Sequence, residues 1–426
     1  MRPCARNLVT NFTFLSILLI IPAASGAHEE YGSLTTVGDI SGPRFNHTAT
    51  LFDDGKVLIT GGTDDGYRSL KTTEIFLPST GEWSEGPDMM ENRQRHSAEG
   101  LPDGRLIIIG GYEGGGHPSL LADYSGQGNR SFSTTEIFDP DTSTFSIGPS
   151  LISGRFWQRS IQLRSGDILV IGGLSVEGGA LGKCEILDVD EMVWKSASPL
   201  NLPRARCTAS LLKDGRVLVT GGHDGRTKTP FASCEIYDPA RDIWEITTPM
   251  NFGRGYHGGA LLKDGRYLVS GGFSAPGQPD RSDSEVYDPE TKTWTMQSDL
   301  YFPRHNHESV LLDSGMVIIM GGSNCQTGGC HSTLEFFDPV TGEWEDSFII
   351  VMGRKWVSAV TMTDGSVMIT GGMSCGEPTS RTELYTPPSI GGKTHDDVFG
   401  LPEIAIILIL AMIPLIVLAG VAHSRK

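Results

Sequence analysis

Between residues 40 and 390 the chain repeats one arrangement of apolar and polar positions. In the fifth copy, an apolar run from Tyr256 to Leu262 ends at the polar turn Lys263-Asp264-Gly265-Arg266. A second run, Tyr267 to Ser270, stops at Gly271-Gly272. A third, Ser284-Glu285-Val286-Tyr287, stops at Asp288-Pro289, and a fourth centres on Trp294. Short apolar runs punctuated by Gly, Pro and Asp predict strands, and the Asp-Gly step predicts a hairpin because glycine accepts positive φ. Proline ends the third strand because it cannot donate to a ladder.

The register does not slip. Gly pairs stand at 61–62, 110–111, 172–173, 221–222, 271–272, 321–322 and 371–372, and seventeen residues before each is an arginine: Arg44, Arg93, Arg155, Arg204, Arg254, Arg304, Arg354. Four strands in a unit of about fifty residues bury their faces only against neighbouring sheets, so the period predicts radial repetition. The fold expected is all-β: a seven-bladed β-propeller over residues 31–388. Nine residues after each third-strand Glu comes the aromatic of the fourth strand, as in Glu235 to Trp244. From Glu383 the same step lands on Gly392, so the last unit lacks that strand. Counting back from Arg44 places Leu34 in the missing slot. An N-terminal strand is therefore expected to close the ring and remove two exposed sheet edges.

The pattern Arg-x-x-His, Asp-Gly, Gly-Gly, Glu-x-Tyr-Asp-Pro and Trp resembles the kelch repeat, over most of the chain. The resemblance implies the propeller; it does not select among enzymes, lectin-like modules and protein-binding scaffolds, all of which use it.

The flanks read differently. Residues 1–27 carry Arg2 and Arg6, an apolar run from Phe12 to Ile21 and small residues up to Ala27, the layout of a secretory signal peptide. Residues 389–403 form a spacer. The run 404–422 has no charge and is long enough for a transmembrane helix, and the basic residues of the 423–426 tail favour a cytoplasmic end. A second reading makes this tail a sorting signal removed by a sortase-like enzyme. Either way the expected location is the cell surface, single-pass, with an extracellular propeller. A formal charge of −17, from 34 basic and 51 acidic residues, excludes a nucleic-acid partner reading a phosphate backbone.

Six cysteines follow the leader. Cys325 and Cys330 flank one loop and are candidates for a disulfide, with Cys325–Cys375 competing. No CxxC pair accompanies a histidine at ligand spacing, so neither a metal site nor a cofactor is expected.

The seven Arg and seven Glu recur in every blade and are expected to serve the blade, as are the histidines three after the Arg. Residues that differ between blades carry the candidate chemistry. Just after each Arg stand Phe45 and Asn46, Arg95, Phe156 and Trp157, Arg206, Tyr256, His305 and Asn306, and Lys355 and Trp356. Aromatics with Arg, Asn and Lys near one mouth suit sugar rings, or a peptide bearing acidic side chains. The function expected is a surface recognition module binding glycan or protein. The alternative is a carbohydrate-active enzyme. One form resembles the kelch-type sugar mutarotases, with Glu113 and His305 as acid/base candidates. Another resembles the copper radical oxidases of galactose oxidase type, which implies a role for Tyr256-His257 with Cys207 in the preceding blade. No second Tyr stands two after any other Arg.

Overall fold

The computed structural model describes residues 31–115, 128–227, 229–350, 352–374 and 376–388. The expected signal peptide, spacer, transmembrane helix and tail lie outside these residues. Among the described residues no helix is long and apolar enough to cross a membrane.

Seven four-stranded antiparallel sheets succeed one another along the chain. In blade 4 the strands Thr208–Leu211, Val217–Thr220, Cys234–Asp238 and Ile243–Thr247 pair in sequence order. Blade 7 takes Ser358–Thr361, Val367–Thr370 and Thr382–Thr386, then borrows Ser33–Thr36 as its outer strand. Leu34 pairs with Tyr385, the place that Trp244 holds opposite Tyr237. The ring is closed where the phase count put the closure.

Every residue of the second strand is buried in each blade, for example Val217–Thr220 and Tyr267–Ser270. They fill the space between neighbouring sheets: Leu169 and Ile171 of blade 3 pack with Val217 and Val219 of blade 4. A fourth-strand Trp ties each of several blades to the one before. Trp194 Nε1 donates to Pro149 O at 2.9 Å and Trp244 Nε1 to Ser198 O at 2.9 Å.

Every repeated Arg is buried and paired with its blade's Glu: Arg44–Glu74 at 2.6 Å, Arg93–Glu136 at 2.7 Å, Arg204–Glu235 at 2.7 Å, Arg254–Glu285 at 2.6 Å and Arg354–Glu383 at 2.8 Å, with Arg155–Glu185 and Arg304–Glu335 alike. Arg204 Nη1 also donates to Gly221 O at 2.7 Å, and Glu235 accepts from the backbone N–H of Asn201 and Leu202. The charge is thus neutralised and its lone pairs are used, the condition under which burying an ion pair is tolerable. The first Gly of each pair is left-handed, and a Cβ on Gly61 would stand 2.3 Å from Arg93 O of the next blade. Only glycine lets the blades approach this closely.

One strand boundary differs from expectation. The run Tyr256–Leu262 is not continuous: the strand is Gly258–Leu261, and Tyr256 has φ of 56°. A left-handed residue breaks the pleat ahead of the strand.

Candidate functional site

The left-handed turn recurs in all seven blades, within the strand His305–Leu311 in blade 6 and ahead of the innermost strand in the others, and builds the mouth. The residues two after each Arg (Asn46, Arg95, Trp157, Arg206, Tyr256, Asn306 and Trp356) all have φ between 52° and 57°. Outside glycine this conformation costs roughly 1–2 kcal/mol, least for Asn. The preceding residue bridges back to the residue after the Gly pair, as in Ala205↔His223 and Gly255↔Phe273. The left-handed residues are linked blade to blade: Arg95 N donates to Asn46 O (3.0 Å), Trp157 N to Arg95 O (3.1 Å), Tyr256 N to Arg206 O (3.1 Å) and Asn306 N to Tyr256 O (2.9 Å). These hydrogen bonds hold the strained backbone and set successive side chains side by side.

On one side of the mouth the side chains alternate cation and ring. Arg95 lies over Trp157 at 4.2 Å, and Arg206 lies over Trp157 and also over Tyr256 at 4.0 Å. Tyr256 Oη meets His223 Nε2 at 3.2 Å. Opposite, Lys355 Nζ lies 4.4 Å over Trp356, which stacks on Phe45 at 5.6 Å. The Trp356 Nε1 and Asn306 Nδ2 donors are buried with no hydrogen-bond acceptor among the described residues.

The structure brings the candidates together at two depths. Asn46, Trp157, Arg206, Asn306, Lys355 and Trp356 are half-buried at the rim, with Arg95 and Tyr256 largely covered within the stack. Phe45 and Phe156 are fully buried and His305 nearly so. These three were expected at the ligand surface and instead support it: each stands one after its Arg, where the chain pairs with the Gly-pair loop, and its side chain packs underneath, whereas Lys355 at the same position stays half-buried at the rim. Phe156 sits against Tyr112 and Trp157. The second-blade insertion leaves the ring through a short ladder, Tyr112 and Glu113 pairing with Ser131 and Arg130; its residues 116–127 lie outside the described ones.

The expected bridge between Cys325 and Cys330 is not formed, and both are thiols. Cys325 Sγ faces His305, while Cys330 Sγ donates to Met373 O at 3.5 Å. Cys375, the competing partner, lies outside the described residues.

Below the mouth the innermost strands line a channel cavity of about 190 Å³ that includes Arg159, Tyr267 and Glu308. Blade 5 is open there because Gly258 and Gly259 carry no side chain; a Cβ on Gly259 would stand 2.1 Å from Tyr267 Oη. Glu308 is accessible to channel water yet walled in by protein. This desolvation pushes its carboxyl up to about 7, against the opposing pull of Arg159. Ser160 Oγ donates to Glu99 Oε1 at 2.6 Å in the same channel. A walled-in Glu and an Arg contributed by blades 3 and 6 leave no mark in the repeat pattern, so sequence reasoning passed over them.

The geometry defines a class: a seven-bladed propeller with a cationic, aromatic mouth. Three of its repeats match kelch motifs, residues 44–90 and 204–251 one kelch motif family and residues 93–151 a second. The chain is 26% identical over 219 residues to acyl-CoA-binding domain-containing protein 6 of Oryza sativa subsp. japonica, covering 47% of this chain and 31% of that protein. It is 36% identical over 63 residues to galactose oxidase of Gibberella zeae, covering 15% of this chain and 8% of that enzyme. The chain thus spans less than a third of either relative. In fold it is similar to a fungal alcohol oxidase of the AA5 family solved in complex with copper, with a TM-score of 0.68, 17% identity, 88% of this chain and 79% of that chain covered.

The residues present do not fit a copper site of galactose oxidase type. His257, next to Tyr256, is buried and turned away from the mouth, its Nε2 3.0 Å from Thr220 Oγ1. Cys207 is packed in the core against Val217 and Val219.

Proposed function

We propose that the chain is a cell-surface recognition module that binds a glycan or another protein through this mouth. The observation that carries the reading is the ladder Arg95–Trp157–Arg206–Tyr256, held on left-handed backbone. Indole and phenol faces accept the apolar face of a sugar ring, and guanidinium groups pair with carboxylates or hydroxyls. Strained backbone that carries large side chains in place of Gly is a mark of a working surface. Kelch propellers generally mediate protein interactions, which agrees with this use of the mouth. The apolar runs near each end of the sequence support display at a membrane surface.

The test is a glycan array and an acidic-peptide library probed with the full chain, then with Trp157→Ala, Arg206→Ala and Trp356→Ala. A ligand whose binding falls at least about tenfold in these variants, at unchanged thermal stability, supports the mouth. Retained binding in all three rejects it. Copper bound at one equivalent with sugar oxidation would replace the module by an enzyme. Surface labelling of intact cells tests the location.

A further inference from the structure

Three residues with metal-binding side chains, drawn from separate segments, meet beside the mouth at the junction of blades 5 and 6. Asp280 follows the Gly pair of blade 5, His305 opens the innermost strand of blade 6, and Cys325 follows the Gly pair of blade 6. His305 Nδ1 lies 2.8 Å from Asp280 Oδ2, and Cys325 Sγ lies 3.9 Å from Nδ1. The Asp, His and Cys ligand atoms all fall within 4.8 Å of one another.

We propose that Asp280, His305 and Cys325 form a zinc-class divalent metal site, with a fourth position open to water or to a ligand at the mouth. The donor set is the mixed N/O/S set that zinc accepts, and three protein ligands with one open position is the usual form of a site that meets exogenous molecules. Two further observations point to a bound cation. Asp280 is buried to the tip of its side chain, and its Oδ1 has no hydrogen-bond partner among the described residues. A buried carboxylate oxygen left bare is costly unless a cation meets it. Ser323 Oγ lies 3.1 Å from His305 Nε2 and can accept its N–H. Without a cation a proton lies between Nδ1 and Asp280 Oδ2; once a cation displaces it, Ser323 accepts Nε2–H and holds the ring with Nδ1 toward the metal, the orienting role played by the outer partner of a metal-bound histidine.

A Cys–His–Asp nucleophile relay fits less well. The sulfur is 4.0 Å from Nε2 and 3.9 Å from Nδ1, so it does not lie along one lone pair, and Nε2 is already engaged by Ser323. Burial and the facing Asp280 carboxylate push the Cys325 thiol up to about 12, which disfavours a free thiolate. A bound dication reverses that bias. Metal binding then releases the Sγ proton and, where Nδ1 carried one, the proton shared with Asp280, both to solvent.

Cobalt(II) titration of the full chain, with any affinity tag removed, tests the site. One equivalent is expected to give a thiolate-to-cobalt charge-transfer band in the near ultraviolet, displaced by zinc. Cys325→Ser is expected to abolish the band, and Asp280→Asn to weaken binding at least about tenfold. Cys330→Ser, which touches neither ligand, is expected to retain it. Because His305 is buried, His305→Gln is read with thermal unfolding, and the exposed Cys325 carries the decision. No band with the parent chain, or a band that survives Cys325→Ser, overturns the site. Either result leaves the ligand test of the mouth untouched, since that test reads Trp157, Arg206 and Trp356.

Discussion

His47 and Thr370 are 323 residues apart in the chain, and His47 Nε2 lies 2.9 Å from Thr370 Oγ1. The contact crosses the seam where the last blade meets the first. The same staple joins other neighbours: His96 to Thr60 at 2.9 Å, His257 to Thr220 at 3.0 Å and His307 to Ser270 at 3.1 Å. Where the earlier blade offers no hydroxyl, the later one offers no histidine. Ile171 packs with Cys207, and Gln158 Nε2 turns to Ile109 O at 2.8 Å. Hydroxyls meet histidines and Ile171 meets an apolar thiol, while at Ile109 the glutamine amide takes the backbone carbonyl instead.

Replacing Thr370 by Ile strands a buried imidazole, and the expected loss is about 1–3 kcal/mol in chemical denaturation. Pairing it with His47→Cys rebuilds the Ile171–Cys207 junction at this seam. The double variant is expected to be more stable than Thr370→Ile alone. Additive losses would show that the two side chains do not communicate.

These histidines make the ring sensitive to acid. Burial, then neighbouring arginines, pushes His47, His257 and His307 well below the ordinary value of 6.5, and burial with Arg93 takes His96 to about 3. A proton added at Nδ1 would find no acceptor, since that atom has none among the described residues in any of the four. The unfolded chain binds these protons first. The stability they contribute is therefore present above about pH 6.5 and lost as the pH falls below it, with a slope of about 1.4 kcal/mol per pH unit for each. Denaturant midpoints measured from pH 7 to pH 4 are expected to fall, and more shallowly in a His47→Cys/Thr370→Ile chain.

Glu308 acts with the opposite sign. Its folded value, about 7, lies above the ordinary 4.5, so its contribution is present below pH 4.5 and lost as the pH rises through 7. Glu308→Gln is expected to gain stability over the parent chain between pH 5 and pH 8. The difference between the two chains cancels the histidine term. A constant difference across that range would place the carboxyl in ordinary solvent.

Breaking one blade's ion pair leaves a charge in the core. Glu235→Ala strips Arg204 of its counter-charge and frees the Asn201 and Leu202 N–H groups, and about 3–5 kcal/mol of destabilisation is expected. Glu245→Ala, at an exposed outer-strand site, is expected to change stability by less than about 1 kcal/mol.

What the sequence made legible was whatever the repeat imposes. Arg254 and Glu285 could be assigned to the blade because every copy has them, and Leu34 could be placed by phase alone. The left-handed turn at Tyr256 could not. The seven residues that adopt it are of four side-chain types, none of them glycine, and the hydrogen bonds that hold it come from the neighbouring blade. Burial of Phe45 and Phe156 was hidden by the same turn, which alters the alternation a continuous strand would have had. Asp280 and Cys325 lie in loops of unequal length and His305 opens a strand, so no spacing rule links them; only the ring brings them within reach.

The clasp between Ser33–Thr36 and Thr382–Thr386 has a mechanical consequence. Tension applied to the chain through residues on both sides of the ring converges on that one pair of strands at the rim of blade 7. Because Ser33 and Thr386 are partners at one end of the antiparallel pair, the load opens the ladder from that end and bypasses the other six sheets. Such a pull is thus borne by the clasp, until the clasp itself gives way.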